Sequence, residues 1–181
     1  KESYKIYQQT EGLFDITVAP LVRYWGFLPK DTIIEKSPVI DSLLKLVGMD
    51  KVHLKNDKIY KDNPAIQFDV NAIAQGYTSD VIARKFDSLG VSNYMIEVGG
   101  EIFCRGHNPK RHEWNVGIDK PVEGNFIPGE ELQEVVALSG KGLATSGNYR
   151  KFYEEGGKKY SHTIDPRIGY PVTHSLLSAT V

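Results

Sequence analysis

The sequence predicts an α+β fold made mostly of antiparallel strands, and three observations lead to this prediction. Short segments that alternate apolar and polar residues predict about nine strands, against three or four helical segments. Several of these strands are joined by short turn sequences, such as Asn56-Asp57 and Gly99-Gly100, which connect antiparallel neighbours. One strand-to-helix junction, at residues 65–89, lies near the middle of the chain. Hairpins with few helices between them favour α+β over a doubly wound parallel sheet.

The composition is that of an ordinary protein with a packed core. The chain has 181 residues, of which 40% are hydrophobic and 25% are charged, enough for one domain or two small ones, and we expect a single domain over residues 1–181. A net charge of −1 without a clustered basic face argues against a nucleic-acid partner. The single cysteine, Cys104, excludes an internal disulfide and a thiolate zinc cluster. No apolar run approaches the roughly 20 residues of a membrane span, and Lys1-Glu2-Ser3 is not a signal peptide.

The first quarter of the chain is predicted to be helical. Residues 1–9 have a helix-compatible composition, and Thr10-Glu11-Gly12 is typical of a helix end followed by a turn. Pro20 is suited to open a short helix that ends near Gly26. Ser37-Pro38 is predicted to open another helix that continues through Leu46 and stops at Gly48. Asp15 lies in an apolar run, so it either hydrogen-bonds within its loop or contacts a ligand.

The middle of the chain contains a predicted hairpin and then the strand-to-helix junction. Residues 52–55 and 58–61 alternate about Asn56-Asp57 as two hairpin strands, and residues 62–64 turn the chain into a strand at 65–70. Asn71 is suited to cap the following helix and Gly90 to end it. Apolar residues at helical spacing predict the buried face of this helix: Ile73, Tyr77, Val81, Ile82, Phe86 and Leu89.

This junction is a candidate anion site. The first N–H groups of a helix lack partners within it, and the helix dipole places partial positive charge there. Asp69 stands at the predicted end of the strand, and small residues follow that let a ligand approach the backbone: Ala72, Ala74 and Gly76. A carboxylate beside an anion site indicates a metal or a ligand rich in donors. The alternative is an ordinary strand-to-helix connection with a capping Asp.

The second half of the chain is predicted to be mostly strands. The predicted strands are residues 94–98, 101–105, 114–118, 132–138, 142–145, 158–164 and 176–181. Gly99-Gly100 joins the first two of these, residues 139–141 join 132–138 to 142–145 as a hairpin, and residues 165–171 form a rigid turn. A Gly-rich dinucleotide fingerprint, a P-loop, a zinc-protease helix and a nucleophile elbow are all absent from the sequence.

Three separated stretches together resemble one protein family. They are Gly12 to Phe27 with Phe-Asp-Ile-Thr-Val-x-Pro-Leu-Val and Trp-Gly-Phe, Phe68 to Asp80 with Asp-x-x-x-Ile-Ala-x-Gly-Tyr, and Thr145 to Pro171 with Thr-Ser-Gly-x-Tyr-Arg and His-x-Ile-Asp-Pro-Arg-x-Gly-x-Pro. In this order they resemble the ApbE proteins, the flavin transferases also called FAD:protein FMN transferases. The similarity covers nearly the whole chain and includes Val98-Gly99-Gly100.

The resemblance implies an enzyme that binds FAD and, with Mg2+, transfers FMN to a Thr or Ser hydroxyl of an acceptor flavoprotein, releasing AMP. This chemistry is phosphoryl transfer assisted by a metal. It agrees with the junction, because a pyrophosphate needs backbone donors and cations and Mg2+ prefers hard oxygen ligands. The alternatives are an Mg2+-dependent FAD pyrophosphatase that gives FMN and AMP, and a flavin-binding protein without turnover.

The resemblance also implies roles for individual residues. Leu13, Phe14 and Asp15 match a turn that contacts FAD, Asp69 matches an FAD-binding carboxylate, and Ile164 matches a further FAD contact. Ala72 matches a metal contact made through a backbone carbonyl. Gln75 occupies a flavin-nucleotide contact position where many members carry Lys, so it brings a hydrogen-bond donor without the positive charge.

His162 matches the histidine that the family is proposed to use to activate the acceptor hydroxyl, whereas a lone strand histidine is more often structural. Tyr149 and Arg150 are weaker candidates.

The resemblance further implies that the chain is a fragment. The family uses an upstream segment for flavin contacts and a downstream Asp and Thr to complete the metal shell, and we expect both to lie outside residues 1–181. Family members are commonly lipid-anchored on the periplasmic side of the inner membrane. We expect the same location for the full-length protein, with membrane contact only through an anchor that these residues do not include.

Overall fold

The structure, a computed structural model, describes residues 1–25, 38–122, 125, 127–147, 152–155, 158–161 and 163–181. The α helices are α1 Glu2–Gln9, α2 Ala19–Trp25, α3 Pro38–Leu44 and α4 Asn71–Ser88. The strands are β1 Val52–Lys55, β2 Lys58–Lys61, β3 Tyr94–Val98, β4 Glu101–Arg105, β5 Trp114–Asp119, β6 Leu132–Leu138, β7 Lys141–Leu143, β8 Thr145–Gly147, β9 Phe152–Glu155, β10 Lys158–Ser161, β11 Ile164–Asp165, β12 Tyr170–Pro171 and β13 Ser178–Thr180. Every strand pair in the described residues is antiparallel, so the predicted α+β class is confirmed.

The chain divides into two compact units. The first comprises Lys1–Val70 and Phe152–His174, and the second comprises Asn71–Lys151 and Ser175–Val181. Within the described residues, no helix is both long and apolar enough to cross a membrane.

The core of the first unit forms where α2 and α3 pack together. Its buried residues are Leu21, Trp25, Ile40 and Val47, and Ile164 and Tyr170 pack against them. The Trp25 indole N–H donates to the carbonyl of Gly169 at 2.6 Å. Gly169 has φ +78°, and a Cβ there would lie 2.6 Å from Ile40, so only glycine fits this turn. The predicted rigid turn at 165–171 is therefore closed by the β11–β12 pair and anchored to the core.

The hairpin predicted at residues 52–61 is confirmed. β1 and β2 pair from Val52 with Lys61 to Lys55 with Lys58. Asn56 and Asp57 both have positive φ, +52° and +55°, as a two-residue turn between twisted antiparallel strands requires. Asparagine and aspartate tolerate this conformation better than other non-glycine residues, which is why the two-residue signal was informative.

The strand predicted at residues 65–70 is wrong. Ile66 is fully buried, and Asp69 N–H donates to the carbonyl of Ile16 at 2.7 Å, yet residues 66–70 form no strand ladder. Alternation of apolar residues reports which side chains are buried, but a strand also needs a neighbouring backbone in register. The segment is a connection without regular secondary structure that leads directly into α4.

Among its described residues the second unit holds α4 and three sheets, one of which is the pair of β8 with β13. β3, β4 and β7 form a three-stranded sheet in that order, and β5 pairs with β6. One apolar cluster of this unit is centred on Ala83, Tyr94 and Ile96, and the other on Cys104, Val116, Leu138 and Leu143.

Gly90 ends α4 as predicted: it has φ +76°, its N–H donates to Asp87, and Val91 N–H donates to Phe86. This pair of bonds satisfies the last carbonyls of the helix.

The hairpin predicted about residues 139–141 is wrong. β6 pairs with β5, whereas β7 pairs with β4, so the chain passes from one sheet to the other at this turn. Gly140 N–H donates to the carbonyl of Cys104 at 2.8 Å and starts the new pairing. Leu138 and Leu143 are both buried in the Cys104 cluster, and this shared burial places the two strands in different sheets around one core.

Three further boundaries or faces differ from the predictions. The single strand expected at 158–164 is two: β10 pairs with β9, and β11 pairs with β12. The final strand is shorter than expected and covers Ser178–Thr180. Of the face predicted for α4, Tyr77 and Val81 are exposed, as is Leu89 just after the helix, whereas Ser79 and Ala83 are buried. Ile82 and Phe86 of the predicted face do pack in the Ala83 cluster, so the buried face combines these two residues with the small residues Ser79 and Ala83.

Candidate functional site

The turn at Leu13-Phe14-Asp15 is held by the end of α1. Phe14 N–H donates to the Thr10 hydroxyl at 3.0 Å, and Leu13 N–H donates to the Thr10 carbonyl at 3.0 Å. The Leu13 side chain is 53% exposed, so the apolar surface of this turn is accessible. This turn thus combines a fixed backbone with an accessible apolar side chain.

Asp15 is buried, and its carboxylate accepts three hydrogen bonds within its own unit. Oδ1 accepts from the Thr17 N–H at 2.7 Å and from the Thr17 hydroxyl at 2.6 Å, and Oδ2 accepts from the Met49 N–H at 3.2 Å. It caps the 3₁₀ turn Ile16–Val18. Burial raises the pKa of Asp15, and the bonds from Thr17 oppose that shift. These contacts favour the loop hydrogen-bonding role for the carboxylate, and the FAD contact of Asp15 stays a prediction.

Asp69 lies beside this turn. The bond from its N–H to the carbonyl of Ile16 joins the connection at 66–70 to the residue that follows Asp15. Asp69 is partly exposed, unlike Asp15. The structure therefore brings together two of the predicted FAD contacts of the first unit, the turn at 13–15 and Asp69.

A cavity of about 250 Å³ adjoins the turn in the same unit. Gly12, Asp15, Gly48, Asp50 and Arg167 are among its lining residues. Arg167 donates from Nε to Asp165 Oδ1 at 3.0 Å and from Nη2 to Oδ2 at 2.8 Å. This ion pair holds the pKa of Asp165 below its usual range. Neither the cavity nor this two-point pair was predicted from the sequence, although the Asp-Pro-Arg spacing at 165–167 was the available signal.

The first turn of α4 carries the predicted contacts of the second unit. Ala72 and Gln75 are three residues apart, so they are neighbours on the helix surface, and both are exposed. The Gln75 amide donates to the carbonyl of Gly99 at 3.3 Å. The first N–H groups of this 18-residue helix have no partners within the helix, so its N-terminus is suited to an anion such as a phosphate.

Mg2+ requires hard oxygen ligands, and one predicted ligand lies in the described residues. The Ala72 carbonyl is at an exposed position in the first turn of α4, which fits the oxygen chemistry of this ion. The described residues contain no group of three or more His, Cys, Asp or Glu side chains that could hold a metal. Within the described residues, the Ala72 carbonyl is therefore the one Mg2+ ligand that the sequence predicted, and it stays a prediction.

The remaining predicted residues fall in the third motif. Ile164 is in β11 and packs against the Leu21 and Trp25 core, so its side chain is partly buried by the first unit itself. His162, Tyr149 and Arg150 lie outside the described residues, and their roles stay predictions.

Comparison with known proteins gives one consistent result. The ApbE family model matches residues 1–181. An FAD:protein FMN transferase of Haemophilus influenzae is 39% identical over 188 residues, covering 99% of this chain and 53% of that protein. The protein of the same name from Escherichia coli is 37% identical over 185 residues, covering 99% of this chain and 52% of that protein. The chain thus spans about half the length of the relatives it matches.

Solved structures agree with the sequence comparison. The apo form of a Pseudomonas stutzeri flavinyl transferase ApbE superimposes with a TM-score of 0.85 at 32% identity, covering 99% of this chain and 54% of that one. A flavin transferase ApbE from Vibrio cholerae superimposes with a TM-score of 0.83 at 32% identity, covering 99% of this chain and 56% of that one.

Proposed function

Because this chain belongs to the ApbE family, we propose that the protein transfers FMN from FAD to a Thr or Ser hydroxyl of an acceptor flavoprotein. The acceptor oxygen forms a bond to the phosphorus of the FMN half, the pyrophosphate P–O bond breaks, and AMP leaves with the bridging oxygen. The names of the similar proteins from Haemophilus influenzae and Escherichia coli support the transfer of FMN from FAD to a protein, and the choice of a Thr or Ser hydroxyl rests on the family resemblance.

Two features that follow each other along the chain carry the proposal, Asp69 in the first unit and the first turn of α4 in the second. The Asp69 N–H donates to the carbonyl of Ile16, the residue that follows the turn at 13–15, and α4 begins two residues after Asp69 in the sequence with small residues in its first turn. Backbone N–H groups at the start of α4 would bind the pyrophosphate, and Asp69 would accept hydrogen bonds from FAD donors. Phosphoryl transfer depends mainly on positioning and on compensation of charge, and this segment supplies both kinds of group.

We further propose that Ala72 offers its carbonyl to Mg2+ and that His162 accepts the proton of the acceptor hydroxyl. Mg2+, when bound, would compensate the negative charge of the transferring phosphoryl group. Gln75 adds a donor but no charge, so this compensation would depend more heavily on the metal than in members that carry Lys at this position.

The test is to incubate the protein with FAD, Mg2+ and a peptide that contains an acceptor Thr. We expect flavin to become covalently attached to the peptide and AMP to appear in equal amount. AMP without covalent flavin would show instead an FAD pyrophosphatase, and FAD binding without either product would show a flavin-binding protein. A Thr-to-Ala peptide is the control, because it removes the acceptor oxygen and changes nothing in the protein.

We also propose, on the family resemblance alone, that the full-length protein acts on the periplasmic side of the inner membrane, held by a lipid anchor. Fractionation of cells that express it tests this proposal. Recovery from the cytoplasmic fraction without lipid would contradict it.

A further inference from the structure

Glu101 has a buried carboxylate oxygen that the packing of the second unit leaves unused. Its Oε2 is buried and has no hydrogen-bond partner among the residues that the structure describes. The residue as a whole is partly exposed, so the buried oxygen lies close to the surface of the second unit. Removing a carboxylate oxygen from water without a partner costs free energy, and such an atom in a folded protein requires an explanation.

The neighbours of Glu101 on β4 show which surface it faces. Successive side chains of a strand point to opposite faces of the sheet. Ile102 and Cys104 pack in the Cys104 cluster, whereas Phe103 packs with Ala83 and Tyr94. Arg105 forms an ion pair with Asp87 of α4. Glu101 therefore shares the α4-facing side of β4 with Phe103 and Arg105.

The spacing along α4 then places Glu101 near the N-terminal half of that helix. Gln75, Ser79, Ala83 and Asp87 recur every four residues, a step of about 6 Å along a helix, while two residues of strand advance about 6.6 Å. Arg105 meets Asp87, Phe103 meets the Ala83 cluster, and the Gly99 carbonyl meets Gln75. Glu101 is thus level with Ser79, between two contacts that are already made.

Ser79 does not supply the missing donor in this structure. It is 2% exposed, and its hydroxyl donates to the carbonyl of Gln75 within the helix at 3.3 Å. The next contact in the row is Gln75, which is a predicted flavin-nucleotide contact. The unused oxygen of Glu101 is therefore one contact, or about 6 Å, from the N-terminal end of α4, where the proposed function places FAD.

We propose that Glu101 contacts the flavin nucleotide directly and that its carboxylate accepts a hydrogen bond from an amino or hydroxyl group of FAD. This inference rests on the proposed function, because it assumes that FAD binds at the start of α4. A carboxylate is an unsuitable neighbour for a phosphate, so the donor belongs to an uncharged part of the nucleotide. The cost of the unused oxygen in the free protein is then offset when FAD binds.

The test compares Glu101→Gln with the wild-type protein and with Glu97→Gln. Glu97 is exposed on β3 of the same hairpin, so it is a control of the same chemistry. FAD affinity is measured by fluorescence titration both in EDTA and with Mg2+, and stability of the FAD-free protein by urea unfolding. We expect Glu101→Gln to weaken FAD binding about tenfold or more, with unchanged or higher stability, and Glu97→Gln to change neither. Glu101→Ala is a second variant for which the same pattern is expected.

Several outcomes would overturn the inference. Equal FAD affinity in the wild-type protein and in Glu101→Gln would remove Glu101 from the ligand contacts. Loss of stability or folding in both variants would show that the carboxylate has a partner within the protein, and an effect that requires Mg2+ would assign it to the cation. Wild-type protein that fails to bind FAD would contradict the proposed function itself, so the two failures are distinguishable.

Discussion

At the scale of single residues, Asp15 and Asp69 are two carboxylates of the first unit with different roles, one structural and one proposed to bind FAD. The oxygens of Asp15 accept bonds from Thr17 and Met49, so that carboxylate fixes the backbone of the turn at 13–15. Asp69 is partly exposed, and its backbone ties it to the same turn. We therefore expect the backbone of the turn, and not the Asp15 carboxylate, to contact FAD, with Asp69 as the carboxylate that binds it.

The Asp69→Asn variant tests this division. An amide accepts hydrogen bonds through one atom only, so it satisfies FAD donors less well than a carboxylate. A hydrogen bond to a charged group contributes about 1.5–3 kcal/mol, so FAD affinity should fall at least about tenfold in fluorescence titration. Asp62→Asn is the control, because Asp62 is exposed and pairs with His53 away from the turn. Unchanged FAD affinity in Asp69→Asn would remove this residue from the site.

The His162→Ala variant tests the proposed base. A base that acts on the acceptor hydroxyl matters in the transition state, so FMN transfer should slow about 10²–10⁴-fold while FAD affinity changes much less. Single-turnover rates and FAD titrations on the same preparation separate these effects. His174→Ala, at an exposed position, should leave both unchanged. Parallel losses in rate and affinity, or a changed circular dichroism spectrum, would give His162 a structural role.

At the scale of elements, α4 and the β3–β4 hairpin are connected at two ends by polar groups and in the middle by apolar packing. Asp87 pairs with Arg105 and accepts from the Tyr94 hydroxyl at 2.8 Å, while Gln75 donates to Gly99 near the other end. Gly99 has φ +61°, and a Cβ there would overlap the Gln75 amide nitrogen. The turn and the first part of α4 therefore depend on each other.

This dependence predicts non-additive effects of mutation. Gly99→Ala should lose about 1–2 kcal/mol to backbone strain and, in addition, displace Gln75 from its bond. In a Gln75→Ala background only the strain remains, so the loss of unfolding free energy should be smaller by about 0.5–1.5 kcal/mol. Gly100→Ala is the control, because its φ is +105° but no atom lies within 4 Å of the added Cβ. Urea unfolding of the four combinations measures the coupling, and equal losses from Gly99→Ala in both backgrounds would show that none exists.

At the scale of the whole molecule, local sequence signals predicted where turns and helices lie better than they predicted which strands pair with each other. The Asn56-Asp57 turn, the Gly99-Gly100 hairpin and the end of α4 at Gly90 follow from backbone preferences of a few residues, and all three are confirmed. The partners of β6 and β7 were wrong because pairing depends on the shared burial of Leu138 and Leu143 with Cys104, which no local pattern contains.

The candidate site likewise has parts that local motifs predicted and parts that depend on contacts between distant residues. The turn at 13–15, Asp69, Ala72 and Gln75 were identified through motifs, whereas the unused oxygen of Glu101 depends on how α4 lies on β4. The bonds from Thr17 to Asp15 are the local kind that the sequence suggested, whereas the bond from the Met49 N–H comes from more than thirty residues away and no local pattern contains it.

The response of the molecule to acid depends on carboxylates whose pKa values move in opposite directions. Hydrogen bonds from Arg167 lower the pKa of Asp165, and those from Arg105 and Tyr94 lower the pKa of Asp87. Each of these groups adds stability above its unfolded pKa of about 3.9, and this contribution is lost as the pH falls through the folded pKa. Burial raises the pKa of Asp15, so its cost to stability at neutral pH shrinks as the pH falls through the folded pKa toward the unfolded value of about 3.9. As the pH falls from neutral, protonation of Asp15 therefore raises the stability of the folded protein, whereas protonation of Asp165 and Asp87 lowers it.

Asp165→Asn isolates one of these contributions. At pH 7 the variant should unfold at lower urea concentration than the wild-type protein, because the two-point bond from Arg167 loses its charged acceptor. Below about pH 3.9 the wild-type carboxylate itself becomes protonated as the pH passes its lowered pKa, so the difference should shrink toward zero. Asp80→Asn, at an exposed position of α4, is the control and should show no such convergence. Unfolding free energies from far-ultraviolet circular dichroism between pH 7 and pH 2 measure both curves. A gap between wild type and Asp165→Asn that stays constant into strong acid would mean that the Asp165–Arg167 pair stabilises the turn through its shape and not through its charge.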